Sequence, residues 1–262
     1  MLIALYKTLR GGEWLKASLD SIYKHVDAII FIHSQVVWGG GAYGNNCLQP
    51  IMEWNKEHSI PVIQYTGLFL TQDQQYETGF TIIKRLYGNV KLLLIDTDEI
   101  WEEPDIVKLK AALESKEAAA YCCRMHTYIK SPFYRIDPPE TCRPVVGIDM
   151  SRAHGIFGPR GLSIQDKAYL DDIYMHHFTY VRESETDIRL KFYTSSIGDN
   201  VPSHPDWFKR IWSAIPNVEN FHPSIGYEKS WQKIKEITIN ELPEAIRNHP
   251  LVTKEPQCPL IN

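Results

Sequence analysis

The sequence lacks several features that would assign a protein to a broad class at once. Its 262 residues contain no run of 18 apolar residues. The first residues also lack the basic start and longer apolar stretch of a secretory signal. We therefore expect a soluble cytoplasmic protein. Its five cysteines form no C-x-x-C pair, which argues against a zinc site and for reduced thiols. The net charge is −4 and the basic residues are scattered, so we do not expect nucleic acid as a partner.

The sequence also lacks the glycine motifs of common nucleotide-binding loops. Its most glycine-rich stretch, residues 38–44, has neither the G-x-G-x-x-G spacing nor that of a P-loop. This stretch is therefore as consistent with a plain turn as with a loop that covers a ligand. Any nucleotide site has to be identified from other residues.

What the first hundred residues do contain is a regular alternation of apolar runs and helical periodicity. The runs predict strands at residues 2–6, 28–32, 61–65 and 91–95. Such alternation is typical of βαβ units. We therefore predict the α/β class, with a mostly parallel, Rossmann-like sheet flanked by helices in a catalytic domain over residues 1–200. An aromatic-rich helical extension over residues 201–262 is expected to pack on it.

The most informative motif follows the fourth predicted strand, where Asp96, Thr97 and Asp98 end an apolar run. Ligands of open α/β sheets bind at the carboxyl ends of the strands. Two carboxylates at that position suit a hard cation such as Mg²⁺ or Mn²⁺, which would bridge a substrate diphosphate. The alternative is that Asp98 and Glu99 cap the next helix.

A second boundary between apolar and polar residues occurs at His176 and His177, at the end of another predicted strand. A neutral imidazole there would supply a nitrogen ligand to the same ion. Adjacent strand residues point to opposite faces, so only one of the two histidines can face it. The following helix carries Lys191, which would neutralise phosphate oxygens or lie in solvent.

Taken together, the Asp96-Thr97-Asp98 motif after three βα units, the His177-x-x-Tyr180 stretch and the lysine-bearing helix resemble family-2-like glycosyltransferases with the GT-A fold over about residues 1–195. The resemblance implies that Asp96 and Asp98 hold Mn²⁺ or Mg²⁺ against the diphosphate of a nucleotide-sugar donor, and that His177 completes the metal site. It also implies a nucleotide-sugar site that includes Thr8, Arg10, Glu13, Asp96 and Lys191.

The reaction implied by this resemblance is displacement of a nucleoside diphosphate from sugar C1 by a hydroxyl of a saccharide or other acceptor, with inversion. Such a reaction needs a carboxylate base to take the acceptor proton. We rank Asp166 first, because it follows the turn at residues 158–161, and Asp149 second, because it ends the apolar run at residues 145–148. The sequence does not contain a clear Glu-Asp base motif.

Two other classes compete with the transferase. A Mg²⁺-dependent phosphohydrolase of the haloacid-dehalogenase kind also uses D-x-D after an apolar strand, and Asp171 and Asp172 would supply its later carboxylates. Its motif normally lies on the first strand, whereas here it follows the fourth. The third class is a non-catalytic module that binds nucleotide sugars with the same architecture.

The last sixty residues are rich in aromatic side chains, which either cap the core or form the acceptor side of a site. We favour the cap for most of them. Residues 208–215 have the spacing of an amphipathic helix, which is compatible with membrane contact. Only Lys209 and Arg210 offer attraction to anionic lipid there, so the sequence does not support membrane association.

Overall fold

The computed structural model describes residues 1–37, 46–154, 157–194, 206–223, 227 and 229–254. The glycine-rich stretch 38–44 and the expected domain boundary at residue 200 lie outside these ranges. The strands are β1 (Leu2–Thr8), β2 (Ala28–Ser34), β3 (Val62–Gly67), β4 (Lys91–Asp96), β5 (Glu99–Trp101), β6 (Ala120–Ile129), β7 (Ser131–Asp137), β8 (Val145–Asp149), β9 (Lys167–Tyr180) and β10 (Lys233–Glu236). The helices are α1 (Gly12–Ile22), α2 (Leu48–Glu57), α3 (Gln72–Tyr87), α4 (Glu103–Ser115), α5 (Glu185–Thr194), α6 (Trp207–Arg210) and α7 (Pro250–Thr253).

The first four strands form the parallel part of the sheet, in the order β4-β1-β2-β3. All four strands predicted from the apolar runs are present, and each extends to within two residues of its predicted ends. Both faces of β1, β2 and β4 are covered, so these three strands are mostly apolar rather than alternating with polar residues, whereas the edge strand β3 is partly exposed. The predicted α/β fold, with a sheet flanked by helices, is confirmed.

Alternate residues of the central strands enter two separate cores. On β4, Leu93 and Ile95 pack with residues of α1, α2 and α4, whereas Leu92 and Leu94 pack with residues of α3. This alternation follows from the two-residue period of a strand. The carboxyl ends of the strands are therefore held between two layers of helices.

The later strands extend the sheet on the β4 side. β8 pairs antiparallel with both β4 and β6, and β7 and β10 continue the sheet beyond β6. The long strand β9 runs parallel to β6 and also pairs antiparallel with the short strand β5. This second pairing brings His177 opposite Glu99, next to the Asp96-Thr97-Asp98 motif.

The C-terminal residues pack against the extended part of the sheet. Most of their aromatic side chains are buried, as expected of a cap, and they form a cluster with Ile129, Ile136 and Ile188; its aromatic members are Trp207, Phe208, Trp212, Phe221 and Trp231. The described residues of this region form short helices and the edge strand β10. Within the described ranges, no helix combines the length and apolar character needed to cross a membrane. The four described cysteines are free thiols.

Candidate functional site

The candidate site lies at the carboxyl ends of the central strands, where Asp96 ends β4. Its neighbour on β1 is Lys7, which is paired with it in the sheet register, and the Lys7 ammonium lies 3.4 Å from the Asp96 carboxylate. Arg160 approaches the same oxygen to 3.2 Å. Burial alone would raise the pKa of Asp96, but these two cations outweigh it and hold the pKa below its usual range.

Behind Asp96, Glu99 and Arg160 form a buried bidentate ion pair. Both terminal nitrogens of Arg160 lie 2.7 Å from Glu99 carboxylate oxygens, and the Arg160 Nε donates to the Val145 carbonyl. Glu99 also accepts the backbone N–H of Asp96. Burial raises the pKa of the Glu99 carboxyl, while Arg160 opposes that rise. The pair fixes the backbone from which the Asp96 side chain projects.

The second aspartate of the motif, Asp98, is buried and bonded to Arg182. Its side chain is 4% exposed, and Arg182 Nη2 donates to it at 2.6 Å. Arg182 Nη1 donates to Glu13, in the first turn of α1, at 2.5 Å. On its other side, Asp98 lies 3.7 Å from His177 Nε2. Arg182 therefore connects α1 to the motif, and Asp98 connects Arg182 to His177.

Thr97, between the two aspartates, fixes the loop that precedes α1. Its hydroxyl donates to the Arg10 carbonyl at 2.7 Å. The next residue, Gly11, has φ +104°, and a Cβ there would lie only 2.2 Å from the Thr97 Oγ1. Only glycine allows this close approach of the loop to the motif. The contact places Arg10 and Glu13 beside Arg182.

We expect Gly11→Ala to lower the free energy of unfolding by about 2–4 kcal/mol, because it combines an unfavourable φ with a steric clash against Thr97. Urea denaturation measures the change. Gly88→Ala is the matched control, since Gly88 also has positive φ but no atom lies within 4 Å of its Cβ position. It should cost about 1–2 kcal/mol. Equal losses in the two variants would contradict the clash.

A polar cavity of about 360 Å³ opens on one side of Arg182. Its lining residues are Arg10, Gly12, Glu13, Asn46, Pro50, Arg182, Glu183 and Asp187. Two of these side chains carry positive charge and three carry negative charge. The cavity therefore offers guanidinium groups to an anion, but its lining has no surplus of positive charge.

A second cavity, of about 440 Å³, opens on the His177 side and is rich in aromatic rings. Its lining residues are Met125, Glu140, Thr141, Cys142, His177, Tyr180, His222, Tyr227, Ser230 and Trp231. The Trp231 ring packs edge-on against Tyr180, at 5.4 Å, and against His222, at 4.4 Å. This mixture of rings and hydrogen-bonding groups suits a ligand with both apolar faces and hydroxyls.

The remaining predicted nucleotide-binding residues are placed differently. Thr8 is fully buried, and its hydroxyl lies 2.5 Å from His33 Nδ1, so it does not line the polar cavity. Lys191 lies on α5, and its side chain is outside the described part of the structure. Arg10 and Glu13 both line the polar cavity.

Of the two adjacent histidines, His177 faces the candidate site. His176 is buried on the other face of β9, where its Nδ1 lies 2.8 Å from the Tyr128 hydroxyl. The structure therefore places His177 beside Asp98, but it does not assemble a three-ligand metal site. Within the described ranges, no three His, Cys, Asp or Glu side chains are grouped so that they could hold a metal ion.

Neither residue predicted as the base lies with the motif. Asp149 ends β8, which runs antiparallel to β4, so it pairs with Lys91 at the opposite end of β4 from Asp96. Asp166 precedes β9 and accepts the backbone N–H of Ala119, just before β6. Both lie at the end of the strands opposite Asp96, so the structure does not bring either of them together with the motif. The apolar pattern of these later strands does not show their direction.

The carboxylates that the phosphohydrolase alternative requires are also separate from the motif. Asp171 pairs with Arg143 at 2.7 Å, and Asp172 pairs with Lys108 at 3.1 Å. Their side chains are 61% and 74% exposed. These are surface ion pairs on β9, and the structure does not favour this alternative.

Sequence reasoning missed Arg160 and Arg182. Arg160 lies in a glycine-flanked turn, and its acidic partners are more than sixty residues away in the chain. Arg182 follows the histidine motif, but its contact with Glu13 spans 169 residues. Because both arginines are distant from the motif in the chain, nothing in the sequence shows which arginines its carboxylates contact.

Comparisons with known proteins found similar solved structures, although not similar sequences. No protein-family model matches it, and no curated protein matches its sequence. Among similar solved structures are two of S. aureus TarS. TarS 1–349 shares 11% identity and a TM-score of 0.44, covering 68% of this chain and 61% of that one. The other structure shares 10% identity and a TM-score of 0.43, covering 73% of this chain and 38% of that one. At these values, the similarity does not bear on function.

Proposed function

We propose that this protein is a glycosyltransferase that moves a sugar from a nucleotide-diphosphate donor to an acceptor hydroxyl. The observation that carries the proposal is the position of Asp98 between two chemically different cavities. Its carboxylate contacts Arg182 of the polar cavity and lies 3.7 Å from His177 of the aromatic one. A two-substrate transfer needs such an arrangement, with an anionic donor on one side and a hydroxylated acceptor on the other.

The polar cavity is the proposed donor site. Arg10 and Arg182 offer planar guanidinium groups that suit phosphate oxygens. The same lining contains Glu13, Glu183 and Asp187, so a diphosphate entering it would add negative charge to a lining that already has one more acid than base. Coulomb repulsion therefore favours entry of the diphosphate together with a cation.

We propose Mn²⁺ or Mg²⁺ as that cation, with Asp96 and Asp98 as its protein ligands. The carboxylate oxygens fit such an ion in their chemistry, and the Asp96 side chain is 22% exposed. When bound, the ion would act as a Lewis acid on the leaving diphosphate. Three basic side chains contact these carboxylates: Lys7 and Arg160 contact Asp96, and Arg182 contacts Asp98. These side chains would have to move for the ion to bind.

The remaining roles in the transfer belong to protein side chains. Arg10 and Arg182 would orient the donor diphosphate, and Arg182 would hold Asp98 in place through its 2.6 Å bond. The Glu99–Arg160 pair would keep the Asp96 backbone fixed while charge develops on the leaving group. We infer inversion at C1, since an acceptor in the aromatic cavity would approach from the side opposite the donor diphosphate.

The decisive experiment is a thermal-shift and calorimetric screen with UDP-, GDP-, CDP- and dTDP-sugars, each with Mn²⁺ and with EDTA. A ligand at 100 times its Kd stabilises the folded state by about 2.7 kcal/mol. We expect the sugars of one nucleotide class to stabilise the folded protein in the presence of Mn²⁺ and not in EDTA. Asp96→Asn should abolish the Mn²⁺ dependence, whereas Asp73→Asn, an exposed residue on α3, should keep it.

The outcomes of the screen separate the parts of the proposal. Equal nucleotide affinity in EDTA and Mn²⁺ would remove the metal role but keep the donor site. No binding of any nucleotide sugar would reject the transferase. Binding without product from any acceptor would favour the non-catalytic module, and release of inorganic phosphate from phosphate esters would favour the hydrolase.

A further inference from the structure

The aromatic cavity contains one carboxylate among its described lining residues, that of Glu140. Glu140 follows β7 in an irregular segment, and its side chain accepts a hydrogen bond from the Thr127 hydroxyl. Thr127 is fully buried on β6 and is paired in register with His177 on β9. The sheet therefore fixes Glu140 on the same side as His177, which lies beside Asp98.

A second observation in this cavity points to a ligand. Trp231 is only 1% exposed, and its indole N–H has no hydrogen-bond partner among the described residues. Buried N–H groups are seldom left unpaired, because losing water without a replacement costs about 1–3 kcal/mol. Trp231 lines the aromatic cavity, so a hydroxyl of a ligand bound there would accept this hydrogen bond once a shift of the ring exposes the nitrogen.

The cavity also has a wall suited to a sugar ring. Tyr227 is 64% exposed, and its ring centroid lies 5.8 Å from that of His222. An exposed aromatic face beside hydroxyl and carboxylate groups suits the apolar face and polar rim of a pyranose. No described lining residue of this cavity is lysine or arginine, so a neutral acceptor fits better than an anionic one.

From these observations we propose that the aromatic cavity binds a neutral saccharide acceptor and that Glu140 is the general base. The inference rests on the proposed glycosyltransferase function. The acceptor hydroxyl gives its proton to a Glu140 carboxylate oxygen as the hydroxyl oxygen bonds to C1 of the donor sugar. The bond from C1 to the diphosphate oxygen breaks, and the nucleoside diphosphate leaves with that electron pair. Glu140 then releases the proton to water.

The test uses the full chain with whichever nucleotide sugar the donor screen identifies and a panel of neutral methyl pyranosides as acceptors. Glu140→Gln should lower kcat by about 10²-fold or more, the usual effect of losing a general base. Its donor Kd and acceptor KM should stay within about twofold. Glu140→Asp should retain intermediate turnover, because it keeps a carboxylate. The control Glu114→Gln removes an exposed glutamate of α4 and should behave as wild type.

A second variant tests the acceptor site itself. Tyr227→Ala should raise the acceptor KM about tenfold, equivalent to about 1.4 kcal/mol, and leave the donor Kd unchanged, because the sugar ring loses the aromatic face on which it packs.

The outcomes distinguish this inference from the proposed function. If the wild-type protein transfers sugar and Glu140→Gln keeps near-normal kcat, Glu140 is not the base. If Tyr227→Ala changes the donor Kd rather than the acceptor KM, the aromatic cavity is not the acceptor site. If the wild-type protein neither binds nor turns over any nucleotide sugar, the proposed function and this inference both fail.

Discussion

Arg182→Ala is expected to lower the free energy of unfolding by about 3–5 kcal/mol, which is typical of removing one partner from a buried ion pair. The arginine side chain is 3% exposed and is bonded to Asp98 at 2.6 Å and Glu13 at 2.5 Å. Its removal leaves the Asp98 carboxylate buried without that guanidinium. Urea denaturation followed by circular dichroism measures the change.

The control for this variant is Lys16→Ala, which breaks an exposed pair with the same 2.6 Å separation, between Lys16 and Asp20. An exposed pair contributes about 0.5 kcal/mol or less. Adding Asp98→Asn to Arg182→Ala should recover part of the loss, because the uncompensated charge disappears. If Arg182→Ala cost no more than Lys16→Ala, burial of the charge would not be the cause.

The second large effect is acid destabilisation through His126. Burial, together with the nearby positive charge of Arg135 and Lys235, lowers the pKa of His126 from 6.5 to about 4. The unfolded chain therefore binds a proton between pH 6.5 and 4 that the folded chain does not. Above pH 6.5 His126 is neutral in both the folded and the unfolded state, so it does not change the free energy of unfolding. Below pH 6.5 that free energy falls as the pH decreases, by up to about 3 kcal/mol at pH 4.

Denaturation at a series of pH values measures this loss. His126→Phe keeps the ring that stacks on Tyr174, at 4.5 Å, but cannot take up a proton, so stability should fall less steeply from pH 6.5 to 4. His176, whose pKa burial holds well below its usual value, should still contribute to the fall. His154→Phe, at an exposed position, is the control and should leave the slope unchanged. An unchanged slope in His126→Phe would contradict the assignment.

The parallel part of the fold could be predicted because its signals are local. Leu92–Ile95 and the other apolar runs identify strands that are buried on both faces, and the intervening helical periodicity requires parallel pairing. The later strands gave no such signal. β8 is a short apolar run whose direction depends on its pairing with β4 and β6. Because it runs antiparallel to β4, Asp149 lies at the opposite end of β4 from Asp96.

The candidate site could be predicted only where its chemistry lies on consecutive residues. The end of an apolar run marks Asp96 and Asp98 as candidates. Alternation between strand faces predicts that only one of His176 and His177 faces the ion, and the resemblance to GT-A glycosyltransferases selects His177. The structure places these three residues at one edge of the sheet. The same approach could not find Glu140, whose position depends on a hydrogen bond from Thr127 and on the course of an irregular segment.

The Glu99–Arg160 pair has a consequence for sequence change in related chains. Either charge alone would be left in a nearly dry site, since the two side chains are 2% and 13% exposed. A lineage that loses one member must therefore pass through a destabilised intermediate unless both positions change together. We expect residues 99 and 160 to covary as acid and base, or as two apolar residues, when homologous sequences are aligned, although they lie 61 positions apart in the chain.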